Sequence, residues 1–393
     1  ESLGVVLPPA ISASFELMLA RAKDLEDKRD NIIIFYCGGS SYGCRDNLLS
    51  SSLICNFCVR QTEEALEEIF PKQEKVKFKK INLKQTLIQK KEVTDTIASN
   101  EALSTLLTDF RTKPNSPKWL YARVICKKIV WTYERYSINI RQIFEKIINE
   151  NMISHLEIFN GRLAPNSTLI SICEEMDIPY TVVEVPGQGN RFDLTKNAAA
   201  HNLQVRKEKI LKHISTVDID PNIESFFEAK AKGVRTSDKV YSKPASGVSS
   251  GLQDGKRKVI GVFTSSLDEF EFLGDEWFTN ISKFPDKFIL SLRKILSAES
   301  FRIVVRLHPN QLYDRTGMTE VFINSISDIN GIDVILSDSD LSSYDVLSEC
   351  DYVITFGSTI GVEATYWGKP SILAGRSQWE DLDIAYTADS AEE

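Results

Sequence analysis

In the last third of the chain, hydroxyl, imidazole and carboxylate side chains fall at the ends of apolar runs, where they could hold a phosphorylated ligand. Residues 351–356 (DYVITF) form a short β-branched run of the kind a buried parallel strand needs. Gly357, Ser358 and Thr359 then turn the chain, and residues 360–367 resume helical spacing. The first N–H groups of a helix lack intrahelical partners and the dipole adds partial positive charge, so such a turn can hold an anion. The hydroxyls of Ser358 and Thr359 can donate to a phosphate oxygen or simply cap the helix. Glu363, one turn deeper on the same face, can accept from ribose hydroxyls or stand as a solvated first-turn acid. A second apolar run, 301–307 (FRIVVRL), delivers Arg306, His308 and Asn310 at its carboxyl end, and a third, 258–264 (KVIGVFT), delivers Thr264, Ser265 and Ser266. A lone histidine after a strand is more often a structural hydrogen-bonder than a ligand contact. Ligands of open α/β sheets bind at the carboxyl ends of strands, however, and convergent ends point to a nucleotide phosphate.

These motifs, in this order, resemble the nucleotide-binding half of bacterial GT-B glycosyltransferases that build capsule and lipopolysaccharide chains. The residues that carry the resemblance are Phe263 to Ser266 with Asp268, Glu269 and Phe270, then Arg306 to Asn310, Ser343 to Leu347, 356–364 (FGSTIGVEA) and Trp367 to Pro370. An HP motif followed by an S-S/T motif is similar also to bacterial sialyltransferases and Kdo transferases, where both contact the donor phosphate. The resemblance covers the last third of the chain strongly and the rest weakly.

It implies an α/β protein of the GT-B kind, two Rossmann-like doubly wound domains facing a cleft, that moves sugar from a nucleotide-sugar donor to a growing surface polysaccharide or lipid-linked glycan. His308, Ser358 and Thr359 would take the donor phosphate and Glu363 the ribose. Thr264, Ser265, Arg306 and Asn310 complete the donor set, with Arg306 orienting the His308 loop. Fixed donors would stabilise the departing phosphate, so no cofactor or metal is required for that step. On the acceptor side, the Gly-rich loop 37–47 offers Ser40, Ser41 and Arg45, and 157–162 (EIFNGR) offers Asn160 and Arg162 at a strand end. An inverting enzyme needs a base for the acceptor hydroxyl; Asp46 is the candidate, with Glu184 behind it. The rival expectations are a nucleotide-sugar epimerase, a polymer phosphotransferase, or a non-catalytic scaffold of a polysaccharide assembly complex.

Two clusters fall outside that scheme. Cys37, Cys44, Cys55 and Cys58 could supply thiolates to zinc or an iron–sulfur cluster, although the first pair lacks the close spacing of a zinc ribbon. They could equally pack as small hydrophobes. Lysines at 72, 75, 77, 79, 80, 84, 90 and 91 could attract a lipid-linked acceptor or an anionic membrane, or could be the solvated face of an alternating strand.

The 393 residues fit two domains of ordinary size. A net charge of −8 argues against a general nucleic-acid binder. No apolar run approaches the ~20 residues that span a bilayer, and seven cysteines without a secretion signal point to reduced thiols. The expected location is cytoplasmic, with candidate peripheral contact at the inner membrane. An N-terminal, acceptor-side domain over 1–241 is expected to open in a Pro-Pro loop and to carry a helical insertion over 94–150. A Ser/Gly/Pro-rich linker over 242–257 would then lead to a nucleotide-binding domain over 258–393.

Overall fold

Each half of the chain builds its sheet from short runs of Ile, Val, Leu and Phe, buried on both faces as parallel strands require. The structure is a computed structural model that describes residues 2–12, 14–39, 44–49, 51–72, 74–82, 96–116, 120–185, 192–216, 218, 221–234, 243–247, 249–266, 270–271 and 273–393. Ser40, Ser41, Lys84, Lys90, Lys91, Asp268 and Glu269 lie outside the described residues. The chain divides into two compact units, Glu1–Asn202 and Leu203–Glu393.

The first unit holds strands β1 (Ser2–Val6), β2 (Ile32–Cys37), β3 (Val76–Ile81), β4 (Ile153–Phe159), β5 (Tyr180–Glu184) and β6 (Asp193–Lys196), with helices α1 (Phe15–Glu26), α2 (Ser52–Ile69), α3 (Thr96–Phe110), α4 (Leu120–Asn151) and α5 (Asn166–Glu175). Spatial order is β3-β2-β1-β4-β5-β6, parallel except that β6 runs against β5. Side chains of β2 alternate between the two faces: Ile32, Ile34 and Tyr36 pack with α1 and α2, whereas Ile33 and Phe35 pack with α4 and α5. The central strand β1 was expected to be part of a Pro-Pro loop. Its five apolar or small residues are enough because neighbours flank it on both sides, and Gly4 is tightly enclosed, since a Cβ would stand 2.7 Å from Leu156.

The expected helical insertion is two helices, α3 and α4, packed on α5 and one face of the sheet. Glu101 of α3 locks them together from a fully buried position. Its carboxylate accepts from the Ser167 and Thr168 N–H groups at the start of α5 (2.7 and 3.1 Å), from the Thr168 hydroxyl (2.7 Å) and from Ser137 of α4 (2.7 Å). β3 is the alternating basic strand foreseen, with Lys80 paired to Glu63 and, just ahead of the strand, Lys75 paired to Asp30.

The second unit holds helices α6 (Leu203–Ile214) and α7 (Ile223–Ala231), then β7 (Lys258–Phe263), α8 (Asn280–Lys283), α9 (Pro285–Ile295), β8 (Phe301–Arg306), α10 (Met318–Ile326), β9 (Ile332–Ile335), α11 (Ser343–Glu349), β10 (Tyr352–Thr355), α12 (Ile360–Tyr366), β11 (Ser371–Leu373) and β12 (Tyr386–Thr387). The order is β12-β11-β10-β7-β8-β9, all parallel. Both units are thus Rossmann-like, with the 3-2-1-4-5-6 strand order of dinucleotide-binding sheets.

The boundary expected at 242–257 moves to Asn202 and Leu203. Residues 203–257 belong to the second unit because charged groups tie them there: Lys207 to Glu380 (2.9 Å), Lys230 to Glu363 (2.6 Å), Ser246 N–H to Asp345 (2.8 Å) and Leu252 N–H to Glu349 (2.8 Å). The described part of the expected linker is therefore anchored along its length.

Burial raises the Glu101 pKa from an ordinary 4.5 to about 7, against the pull of the Ser137, Thr168 and Ser167 donors. The folded state then binds the extra proton between those values, so this contribution to stability is complete below about pH 4.5 and is lost as pH rises through about 7. Glu101→Gln mimics the protonated form, because its oxygen can still accept both N–H groups while its amide donates to the two hydroxyls. Urea denaturation at acid and at mildly alkaline pH should show a flatter stability profile for Glu101→Gln than for the wild type; parallel profiles would refute the assignment.

Candidate functional site

Sheet order decides where a ligand can sit. In the second unit the chain reverses direction across the sheet between β7 and β10, which pair in register from Ile260↔Tyr352 to Phe263↔Thr355. Ligands of such sheets lie beyond the carboxyl ends of the strands at this reversal. Those ends carry Thr264 to Ser266 after β7 and Gly357 to Thr359 after β10; β8, on the far side of β7, carries His308 to Asn310.

The loops are built from one another. The Thr264 hydroxyl donates to Gln311 Oε1 (2.5 Å) and accepts from the His308 N–H (2.9 Å), which Gln311 Oε1 also accepts (2.8 Å). His308 Nδ1 accepts from the Asn310 N–H at 3.2 Å, so in the neutral ring the proton sits on Nε2. Gly357 has φ +118°, and a Cβ there would stand 2.6 Å from the Arg376 carbonyl. Only glycine lets the turn after β10 pass so close to the loop after β11. The Ser358 N–H is held by Thr355 Oγ1 (2.9 Å), and the Ser358 hydroxyl stands 3.4 Å from the Ile360 N–H, a weak cap. Thr359 is exposed and makes no side-chain cap. Helix α12 has seven residues, so its dipole is small, and any anion at this turn would be held chiefly by hydroxyls and by His308.

Ser265 lines a cavity of about 160 Å³ whose other walls include Phe270, Trp277, Phe322 and Phe356. Its hydroxyl is buried and has no hydrogen-bond partner among the described residues, which leaves it available to a ligand. Two members of the expected donor set are differently employed. Arg306 is buried, donates to the Leu336 carbonyl after β9, and loses proton affinity through that burial; it braces the strand ends. Glu363 is not a solvated acid but is buried. Its Oε1 accepts from Lys230 (2.6 Å) and Thr359 (3.3 Å), and its Oε2 from Tyr344 (2.6 Å). Lys230 had no signal in the sequence, lying on a polar helix more than 100 residues upstream, with |i−j| of 133.

In the first unit the equivalent reversal lies between β1 and β4, and a cavity of about 70 Å³ opens there, lined by Val6 to Pro9, Cys37, Cys44, Asp46, Phe159 and Leu163 to Asn166 among others. Asp46 lines it while remaining exposed to solvent; partial desolvation and Asp109 raise its pKa, against the lowering effect of Arg45. Arg45 grips Asp109 through Nε and Nη2 (2.9 and 2.5 Å), so the expected acceptor contact is committed to an ion pair. Asn160 (φ +58°) donates to Glu184 (2.5 Å) and accepts from the Arg162 N–H (3.1 Å). The other Glu184 oxygen takes the Val185 N–H (2.9 Å), so both oxygens of the reserve base are occupied. Arg162 reaches Thr108 at 3.4 Å and, second to burial, helps hold His201 neutral with a pKa of about 4.

The cysteines do not assemble a metal site. Among the described residues no three His, Cys, Asp or Glu side chains come together to hold an ion. Cys58 and Cys37 accept from the Ala10 and Gly39 N–H groups (3.2 and 3.3 Å), and Cys55 accepts from Asn47 (3.2 Å). Burial, with Asp46, Cys37 and Cys58 nearby, pushes the Cys44 thiol up to about 12.

No protein-family model matches the chain, and no curated protein matches it in sequence. Among solved structures it is similar to Thermosulfurimonas dismutans KpsC, beta Kdo 2,4 transferase, at 16% identity and a TM-score of 0.41 over 61% of this chain and 74% of that one. It is also similar to Methanocaldococcus jannaschii UDP-GlcNAc 2-epimerase in complex with UDP-GlcNAc and UDP, at 10% identity and a TM-score of 0.31 over 100% of this chain and 90% of that one. UDP-GlcNAc 2-epimerase from Neisseria meningitidis bound to UDP-GlcNAc matches at 10% identity and a TM-score of 0.24, over 95% and 82%.

Two substitutions separate residues that shape the site from residues left for a ligand. Gly357→Ala forces a methyl against the Arg376 carbonyl in a left-handed backbone and should cost at least about 2 kcal/mol of stability. Ser265→Ala removes a hydroxyl without a partner and should leave stability within about 0.5 kcal/mol. Chemical denaturation of both variants measures the contrast, and equal losses would contradict it.

Proposed function

We propose that the chain is a glycosyltransferase that holds a nucleotide-sugar donor on its second unit and extends a surface polysaccharide or lipid-linked glycan. The observation that carries this reading is the adjacency of β10, β7 and β8, which gathers Ser358 and Thr359, Ser265, and His308 at neighbouring strand ends in the unit whose motifs resemble GT-B donor domains. In that reading the bond from the anomeric carbon to the donor phosphate breaks as the acceptor oxygen bonds to that carbon. His308 Nε2–H and the serine and threonine hydroxyls stabilise the charge left on the phosphate. Asp46 takes the acceptor proton in this reading; although the residue is exposed, desolvation and the nearby Asp109 raise its pKa and so its basicity. Asp46 is favoured over Glu184 because its carboxylate is not spent on backbone and amide donors, as that of Glu184 is.

Titration calorimetry with UDP, GDP, CMP and their common sugars, on the wild type and Ser358→Ala, tests the donor site. One nucleotide should bind, and the variant should bind it about tenfold more weakly, the scale of one hydrogen bond to a charged group. No binding by any of them to folded protein would refute the reading. With the donor known, Asp46→Asn should keep nucleotide affinity and lose turnover by a factor on the order of 10² or more. Wild-type kcat/KM should fall as pH drops through the raised Asp46 pKa, because the base must be ionised. Sugar inversion without any acceptor would identify an epimerase instead.

A further inference from the structure

Helix α4 is buried along its second half and bare along its first. From Leu120 to Thr132 only Cys126 is buried. Leu120 and Tyr121 are 77% and 78% exposed, Val124 57% and Trp131 48%. At about 100° per residue, Leu120, Val124 and Trp131 fall within roughly 40° of one another, opposite Cys126 and the fully buried Tyr133. Lys127 and Lys128 flank that stripe on its two sides, and Arg135 lies over the Trp131 ring at 5.5 Å. The charge pattern is one-sided: residues 111–133 contain Arg111, Lys113, Lys118, Arg123, Lys127 and Lys128 and no Asp or Glu, in a chain whose net charge is −8.

We infer that this face of α4 docks on an anionic phospholipid surface. A stripe of large apolar side chains set among cations, with Tyr and Trp at its ends, is the pattern of a helix lying in the plane of a bilayer interface. The apolar side chains enter the headgroup boundary while lysine stems bend to keep their ammonium groups among lipid phosphates. A protein partner of ordinary surface would have to bury the lysines unpaired, whereas anionic headgroups neutralise them. The chain's overall negative charge does not prevent this, because at physiological salt a charge is felt over only about 8 Å. Leu49, and Leu53 and Phe57 of α2, are further exposed apolar side chains of this unit. The basic strand β3 is a poorer candidate, since acids pair with lysines at both of its ends. No helix among the described residues is long and apolar enough to cross a membrane, so the contact is one of lying on the surface. The inference stands apart from the proposed chemistry and survives its failure.

The test is sedimentation of the full chain with vesicles of phosphatidylcholine alone and of equimolar phosphatidylcholine and phosphatidylglycerol. The wild type should bind the anionic vesicles at least about tenfold more tightly, and added salt should weaken that binding. Leu120→Glu/Val124→Glu/Trp131→Glu should abolish it, and Lys127→Glu/Lys128→Glu should remove the preference for anionic lipid. Lys77→Glu on β3 should change neither. All the substituted side chains of α4 are exposed, and an unchanged thermal melt checks the fold. Failure of the wild type to bind either vesicle, or equal binding by the triple variant, would overturn the inference. So would a wild-type oligomer that ignores vesicles and dissociates in the triple variant, which would assign the face to a second copy.

Discussion

Everything functional in either unit depends on the parallel pairing of its first and fourth strands. Paired strands lie only about 4.8 Å apart, so the segments that leave their carboxyl ends are forced together and one must be rich in small or polar residues. The pairing is demanding in the other direction too. Both first strands place a glycine at their centre, Gly4 in LGVV and Gly261 in IGVF, and at both a methyl would collide with a neighbour, Leu156 in one case and Cys350 in the other. The core is packed against the backbone itself at the strand from which each site is hung.

The two units use one strand order for different chemistry. The first surrounds the reversal with Pro8, Pro9, Phe35, Phe159 and Leu163 and leaves a single destabilised carboxylate, Asp46, facing the space. The second surrounds it with hydroxyls and an imidazole: the Asn310 N–H holds the His308 ring and Gln311 the Thr264 hydroxyl, while the Ser265 hydroxyl has no partner among the described residues. Desolvation and a like charge raise the basicity of an acid, and hydroxyl and imidazole donors can stabilise negative charge.

Much of this was legible in the residues. The runs KVIGVF, FRIVVR and YVIT each became a buried strand. What failed to show was whatever depends on partners distant in the chain. SLGVV is too short to announce a central strand. The Ser/Gly/Pro composition of 242–257 says flexible, and nothing in it reveals that Asp345 and Glu349, about 100 residues on, accept its backbone N–H groups. Cysteine spacing does not record which N–H groups point at the sulfurs, as those of Ala10 and Gly39 do here. The apolar residues of α4 have helical period along its whole length, but period cannot say which turns meet the core and which meet solvent.

The Lys230–Glu363 contact gives the second unit a linkage that a rigid sheet would lack. Lys230 rides on α7, whose Phe227 also stacks on Tyr366 of α12 with ring centroids 4.0 Å apart, so the seating of α7 and the occupancy of the Glu363 oxygens are a single equilibrium. Any ligand that claims that carboxylate must displace an ammonium group, and it loosens α7 by the same factor that a firmly seated α7 weakens the ligand. A change in the seating of this helix would be felt at Glu363, which lies outside the cavity that Ser265 lines.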